Sequence, residues 1–291
     1  MRMVSAFAPG GGTDILARAI AVPVSESFGQ PVVVDNRPGA GGTMGSDFVA
    51  RAAPDGYTII MVASTYTATA AYDPPPYDPV NGIQPIILIG TTGLVMTVHP
   101  SIPARSVKEL VDYARANPGR LNYASVGTGS VPHFAQELFR LQTGINIVHV
   151  PYKGGGPAVI ALVGGEVQMT TISMVAILPH IKAGRLRALA ITTPARSSAM
   201  PDLPTIGETV PGFEVTHWYG IWGPKGMPKP IVARWNQEVA KVLRTEETKS
   251  RSRAEGLETA GGPPEEFSEI IRRDVEKWRK VVKEAKIKRE G

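Results

Sequence analysis

The segment Ala8-Pro9-Gly10-Gly11-Gly12-Thr13-Asp14 constrains this chain more than any other. A short apolar run before it (Met3, Val4, Ala6, Phe7) reads as a strand. The periodic apolar run after it (Ile15, Leu16, Ala19, Ile20) reads as a helix. A strand, a glycine loop and a helix start make an anion site from backbone alone. The N–H groups of a first helical turn have no intrahelical acceptor, and the helix dipole adds partial positive charge there. Glycines let a ligand approach those groups with no Cβ in the way.

Punctuation of this kind runs through all 291 residues. The 31 glycines and 26 prolines are about a fifth of the chain, yet no low-complexity tract holds them. They separate many short elements. Strands are expected at 3–7, 32–34, 57–63, 86–89, 94–98, 121–124, 147–150, 167–172, 186–191 and 215–221. Helices are expected between them, the first ending at Phe28-Gly29 and carrying a kink at Pro23. Ser106-Val107-Lys108-Glu109 reads as a capping box, and Gly144 as the end of a helix that begins near Pro132. A last helix from about Glu265 carries one apolar stripe: Phe267, Ile270, Ile271, Val275, Trp278, Val281 and Val282. Alternating strands and helices imply an α/β fold with mainly parallel sheets.

Charge and motifs exclude several functions. The net charge is +5, of which +3 lies from Ile231 onward, where 15 Lys and Arg interleave with 12 Asp and Glu. That is a solvated helix face, so nucleic acid is not an expected partner. With no cysteine, disulfides, Fe–S clusters, Cys-ligated zinc and a thiol nucleophile are excluded. No apolar run is long enough to span a membrane as a helix. There is no Walker Gly-Lys-Ser/Thr. The candidate dinucleotide loops at Gly127-Thr128-Gly129 and Gly39-Ala40-Gly41 end in Pro132 and Met44, where the fingerprint needs Gly. Ser125 lacks the elbow glycine of a hydrolase, because Tyr123 stands there. The five histidines form no metal motif. No cofactor is expected.

In open α/β sheets, ligands bind beyond the carboxyl ends of the strands. The loops there are small, polar and mostly uncharged: Gly10-Gly11-Gly12, Ser64-Thr65-Tyr66, Ser125–Ser130, Tyr152–Gly156, Ser173 and Thr192-Thr193. His133 lies in the first turn after one of them. Lys153 is the one cation within the glycine loops, either meeting a carboxylate or simply solvated. Asp14 either orients the ligand or caps the first helix. The 39–42 segment is a second anion loop or a turn. Trp218, Tyr219 and Trp222 stand where the chain would cross between two halves.

These segments together resemble the Bug, or TctC-like, receptors of tripartite tricarboxylate transporters. The resemblance rests on Ala8–Ile15, Val34-Asp35-Asn36-Arg37-Pro38-Gly39-Ala40-Gly41-Gly42, Ala53–Thr58, Leu121–Ser125, His149–Gly155, Leu178–Gly184 and Pro201–Thr205, in fixed order over nearly the whole chain. It implies a two-lobed periplasmic-binding-protein-like fold of type II, each lobe a mainly parallel sheet flanked by helices, with two hinge crossings. Lobe I would comprise residues 1–95 and 217–291, and lobe II residues 96–216. The resemblance implies a periplasmic receptor, monomeric, with its signal peptide removed. It would capture a small carboxylate, partly through bridging waters, and deliver it to integral-membrane transporter subunits.

The binding residues it implies are Gly10, Gly11, Gly12, Thr13 and Asp14 facing Ser125, Gly127, Thr128, Gly129 and Ser130, with Ser64, Thr65 and Tyr66 as a third region. Ala8, His133, Lys153 and Ser173 complete the candidate set. Ala8 stands where the family commonly has Pro. Ser173 stands where many members have an acidic or amide pair, which suggests a plain carboxylate rather than an amino acid as ligand. Two other classes remain open on sequence: a hydrolase or transferase using Ser125 or Thr128, and an anion-sensing domain.

Overall fold

The computed structural model describes residues 1–284; the expected lobe I assignment for 285–291 lies outside the described residues. The first sheet is built from β1 (Arg2–Ser5), α1 (Gly12–Phe28), β2 (Val33–Asn36), α2 (Thr43–Ala50), β3 (Thr58–Ala63) and α3 (Thr65–Tyr72). A 16-residue strand, β4 (Ile83–Val98), then leads into α4 (Val107–Ala116), β5 (Leu121–Ser125), α5 (Val131–Thr143), β6 (Ile147–Pro151) and α6 (Gly155–Val163). The second sheet is completed by β7 (Met169–Ser173), α7 (Met174–Lys182) and β8 (Arg187–Ile191). The chain returns through β9 (Thr216–Pro224) to α8 (Lys229–Arg244), α9 (Glu246–Ala254), β10 (Leu257–Gly261) and α10 (Pro264–Glu284).

The strand order is β2-β1-β3-β9-β4-β7-β5-β6, with β10 and β8 also on β4. Strands β1, β2 and β3 are parallel, as are β5, β6 and β7. The crossing strands β4 and β9 are antiparallel to each other, because one leaves the first sheet and the other re-enters it. Residues 83–93 of β4 pair with β9, while 94–98 pair with β7 and β8. The sheet therefore changes between Gly93 and Leu94, where Thr216 of β9 also begins. The sequence suggested two strands here, separated by 90–93. The glycines instead allow neighbours to press close: a Cβ at Gly90 would meet the Glu258 carbonyl oxygen at 2.3 Å, and one at Gly93 would meet Ile191 Cδ1 at 2.4 Å.

Alternation along each strand fills both faces. Met3, Ile59 and Met61 join a core under α1 and α8, while Val4, Ile60 and Val62 join one under α2 and α10. In the second sheet Tyr123 faces the core under α4 and α5, and Ala124 faces that under α6 and α7. The stripe of α10 crosses between lobes. Phe267 packs edge-on against Trp218, with ring centroids 5.3 Å apart, and Trp278 packs on Phe134, also at 5.3 Å. Among the described residues, no helix is long and apolar enough to cross a membrane.

Candidate functional site

The loop after β1 is shaped from within its own lobe. Gly11 is the N-cap of α1 and offers no side-chain cap, so the first-turn N–H groups stay available toward the cleft. Asp14 had a capping role as one expectation, and the structure corrects it. Gly11 already holds the cap, and Asp14 reaches back outside the helix to accept from Gly10 N–H at 3.0 Å. It also accepts from Arg18 Nε at 3.0 Å and Asn36 Nδ2 at 2.9 Å. Burial alone would raise the Asp14 pKa, but these bonds outweigh it and hold the carboxyl below its ordinary value. Asn36 donates to the Phe7 carbonyl as well, at 3.0 Å, which explains the Asp35-Asn36-Arg37 motif: it ties the end of β2 to the loop. Thr13 Oγ1 accepts from Ser5 Oγ at 3.2 Å.

The opposing loop, Ser125–Ser130, uses its side chains internally. Ser125 Oγ lies 2.7 Å from His149 Nε2 and accepts from Gly127 N–H at 3.1 Å. Ser130 Oγ caps α5 by accepting from His133 N–H at 3.3 Å. The His133 ring accepts from Gly129 N–H at its Nδ1, 3.2 Å away. It stacks on His149 with centroids 4.1 Å apart, and His149 stacks on Tyr123 at 4.9 Å. Burial, and then the neighbouring His149, lower the His133 pKa to about 4, so it is neutral at pH 7.

The two lobes are closed on each other. Ala8 N–H donates to the Lys153 carbonyl at 2.9 Å, and Val131 N–H to Thr65 Oγ1 at 3.4 Å. Glycine faces glycine: a Cβ at Gly11 would lie 3.2 Å from Gly155 N, and one at Gly156 would lie 2.0 Å from the Pro9 carbonyl oxygen. Two cavities remain between the lobes. The inner one, about 40 Å³, is lined by Phe7, Gly11, Gly12, Thr13, Ala63, Thr65, Val126, Pro132, Gly155, Ile172, Ser173, Ala176, His217 and Tyr219. The outer one, about 320 Å³, lies between the 39–42 loop, Val126–Thr128 and Pro151–Lys153. Phe7 and Val126 line both.

Of the residues expected from sequence, Gly11, Gly12, Thr13, Thr65 and Ser173 meet in the inner cavity, and Gly127, Thr128 and Lys153 line the outer one. The others stand behind these walls. Ala8 and Gly10 act through backbone bonds. Ser125, Gly129, Ser130 and His133 hold the second loop in shape. Ser64 Oγ is bonded to His217 Nδ1. Tyr66 points into lobe I, where its hydroxyl donates to the Pro79 carbonyl at 2.7 Å. His217 and Tyr219 were missed as lining residues. One lone histidine and one aromatic near a crossing carry no spacing signal of their own.

The inner cavity is lined by no Asp, Glu, Lys or Arg. It offers a helix N-terminus, hydroxyls, a phenol and an imidazole. Such neutral donors suit an anion, and a dry enclosure strengthens their bonds. Ser125, fully buried and engaged with His149 and Gly127, is not presented to a substrate. Two lobes closed over a cavity of neutral donors define a solute-binding receptor.

The family model of the tripartite tricarboxylate transporter family receptor matches residues 16–287, and the chain belongs to this family, whose members are binding receptors rather than enzymes. It is 36% identical over 294 residues to Protein BugT of Bordetella pertussis, covering 99% of this chain and 90% of that one. An R. palustris protein solved with adipate is 38% identical with a TM-score of 0.95, covering 99% of this chain and 97% of that one. The periplasmic binding protein BugD is 33% identical with a TM-score of 0.95, covering 100% and 98% respectively.

Proposed function

We propose that this protein is a monomeric periplasmic receptor that captures a small di- or tricarboxylate, or a related organic acid, between its lobes. It delivers that ligand to the membrane subunits of a tripartite tricarboxylate transporter. The observation that carries this reading is the uncharged inner cavity at the α1 N-terminus. One ligand carboxylate occupies it, held by backbone N–H groups and hydroxyls, and the rest of the molecule extends past Phe7 and Val126 toward the outer cavity. Ordered waters extend the donors to ligands of different length at modest entropic cost. Lobe I comprises 1–95 and 217–284, lobe II 96–216, and they open by hinge motion at the Gly93–Leu94 and Thr216 crossings. Closure follows from contacts made only in the closed state.

With no carboxylate in the inner cavity, a ligand ammonium there would lose its hydration without an ionic partner, at a cost of several kcal/mol. Plain carboxylates are therefore preferred over amino acids. A thermal-shift screen over mono-, di- and tricarboxylates, followed by calorimetry of succinate against aspartate, tests both points. Stabilisation by a di- or tricarboxylate and at least tenfold weaker aspartate binding are expected. Tighter binding of aspartate than of succinate would overturn the preference, and a screen without hits would overturn the reading.

A further inference from the structure

We propose that His217 donates a hydrogen bond from Nε2 to the bound carboxylate, and so couples ligand to the strand that joins the lobes; this rests on the carboxylate-receptor reading above. His217 is the second residue of β9, opposite Thr92 on β4, one position from the point where β4 changes sheets. It is 4% exposed and lines the inner cavity, edge-on to Tyr219 at 5.0 Å and 89°. Its Nδ1 lies 2.6 Å from Ser64 Oγ. Of the two arrangements open to this pair, Ser64 donating or Ser64 accepting, the proposed contact is the one in which Ser64 donates. Nδ1 then accepts, and the ring proton resides on Nε2.

Two further observations support a ligand at this wall. Ser173, 7% exposed, lines the same cavity, and beyond the neighbouring Tyr219 hydroxyl its own hydroxyl has no hydrogen-bond partner. Burial lowers the His217 pKa to about 3, so the ring stays neutral throughout the physiological range. A neutral N–H binds a carboxylate without leaving a buried charge behind in the ligand-free protein. Because the donor sits at the crossing, the bond forms in the geometry that the hinge adopts on closure.

The two amide variants separate ligand contact from structural support. His217→Gln places its amide near the Nε2 position and gives up Ser64. His217→Asn places its amide near Nδ1, keeps Ser64 and gives up the cavity donor. Adipate, succinate and citrate are the probes, titrated by calorimetry, with the tightest for wild type used throughout. We expect His217→Gln to bind within about threefold of wild type and His217→Asn to bind at least tenfold more weakly, since a hydrogen bond to a charged group is worth ~1.5–3 kcal/mol. The reverse order, or equal affinities for the two variants, overturns the proposal. Histidine-labelled ¹⁵N NMR of the unmutated protein gives a second reading: the His217 Nε2 resonance shifts on saturation, and an unmoved resonance overturns the proposal. Binding of none of the three probes by wild type overturns the receptor reading and this proposal with it, which sets that failure apart from failure at His217 alone.

Discussion

In the N-terminal jaw, a buried carboxylate with a guanidinium and an amide, Asp14 with Arg18 and Asn36, holds the glycine loop from behind. In the opposing jaw, two stacked imidazoles and two serine hydroxyls do so. Both loops present uncharged surface to the cleft, yet the framework behind one is ionic and that behind the other is neutral. The first is stable wherever Asp14 is ionised. The second requires His133 to stay unprotonated. The jaws also meet directly: the second brings Gly155 and Gly156 against Pro9–Gly11 of the first, backbone to backbone.

The largest effect is expected from filling that glycine contact. Gly156 sits in the first turn of α6 with a φ that any residue tolerates, so Gly156→Val strains neither helix nor loop by itself. Its Cβ would nonetheless sit 2.0 Å from the Pro9 carbonyl oxygen in the closed form. In an open form, with the lobes parted, this conflict is expected to disappear. We expect carboxylate binding to weaken by at least ~100-fold, or roughly 3 kcal/mol, while the melting temperature of the ligand-free protein moves by only a few degrees. Calorimetry and thermal unfolding together check this. Unchanged affinity would show that the jaws do not need to meet.

Acid sharpens the comparison between the two frameworks. The His133 pKa is lowered from 6.5 to about 4, so the unfolded chain binds the proton more readily than the folded one. Its contribution is therefore fully present above the unfolded value of 6.5 and is lost as pH falls from there toward 4. Integrated, the loss is on the order of 3 kcal/mol for His133, at ~1.4 kcal/mol per unit. His217, lowered to about 3, adds a loss of the same sign extending lower. Asp14 behaves differently: its folded pKa is depressed below 3.8, so its contribution persists down to that value and is lost only as pH falls further. Urea midpoints at pH 7 and pH 5 should differ in wild type, and by less in His133→Gln. An equal difference in the variant would remove His133 from the account.

The frame of the first jaw was legible in the sequence, because strand, glycine loop and helix follow one another directly in the chain. Gly29 and Gly144 were likewise readable as left-handed caps, at φ 62° and 67°. The joining of 86–89 and 94–98 into one strand was not, because Gly90 and Gly93 look like a turn unless the neighbouring strands are known. Strand β10 has one apolar core residue, Leu257, in an otherwise exposed or half-exposed pattern, so no alternation marked it. Within the site, Thr13, Thr65 and Ser173 were recoverable from loop position. His217 was not, because its role arises only when Ser64, at the end of a distant strand, comes within 2.6 Å.

The smallest effect is expected at Lys153, and it separates side chain from backbone in the second jaw. From sequence this cation was equally a carboxylate ligand or a solvated loop residue. The structure bonds its carbonyl to Ala8 N–H at 2.9 Å, while the residue as a whole is exposed at the rim of the outer cavity. Removing the side chain leaves that carbonyl in place. An exposed charge at the rim acts largely through solvent and is screened over about 8 Å at physiological salt. Lys153→Ala is therefore expected to weaken carboxylate binding by no more than about threefold, with the loss confined to association rate and shrinking as salt is raised. Stopped-flow binding at low and high ionic strength measures it. A loss above tenfold that persists at high salt would mean that the ligand reaches the rim and that Lys153 pairs with its distal carboxylate directly.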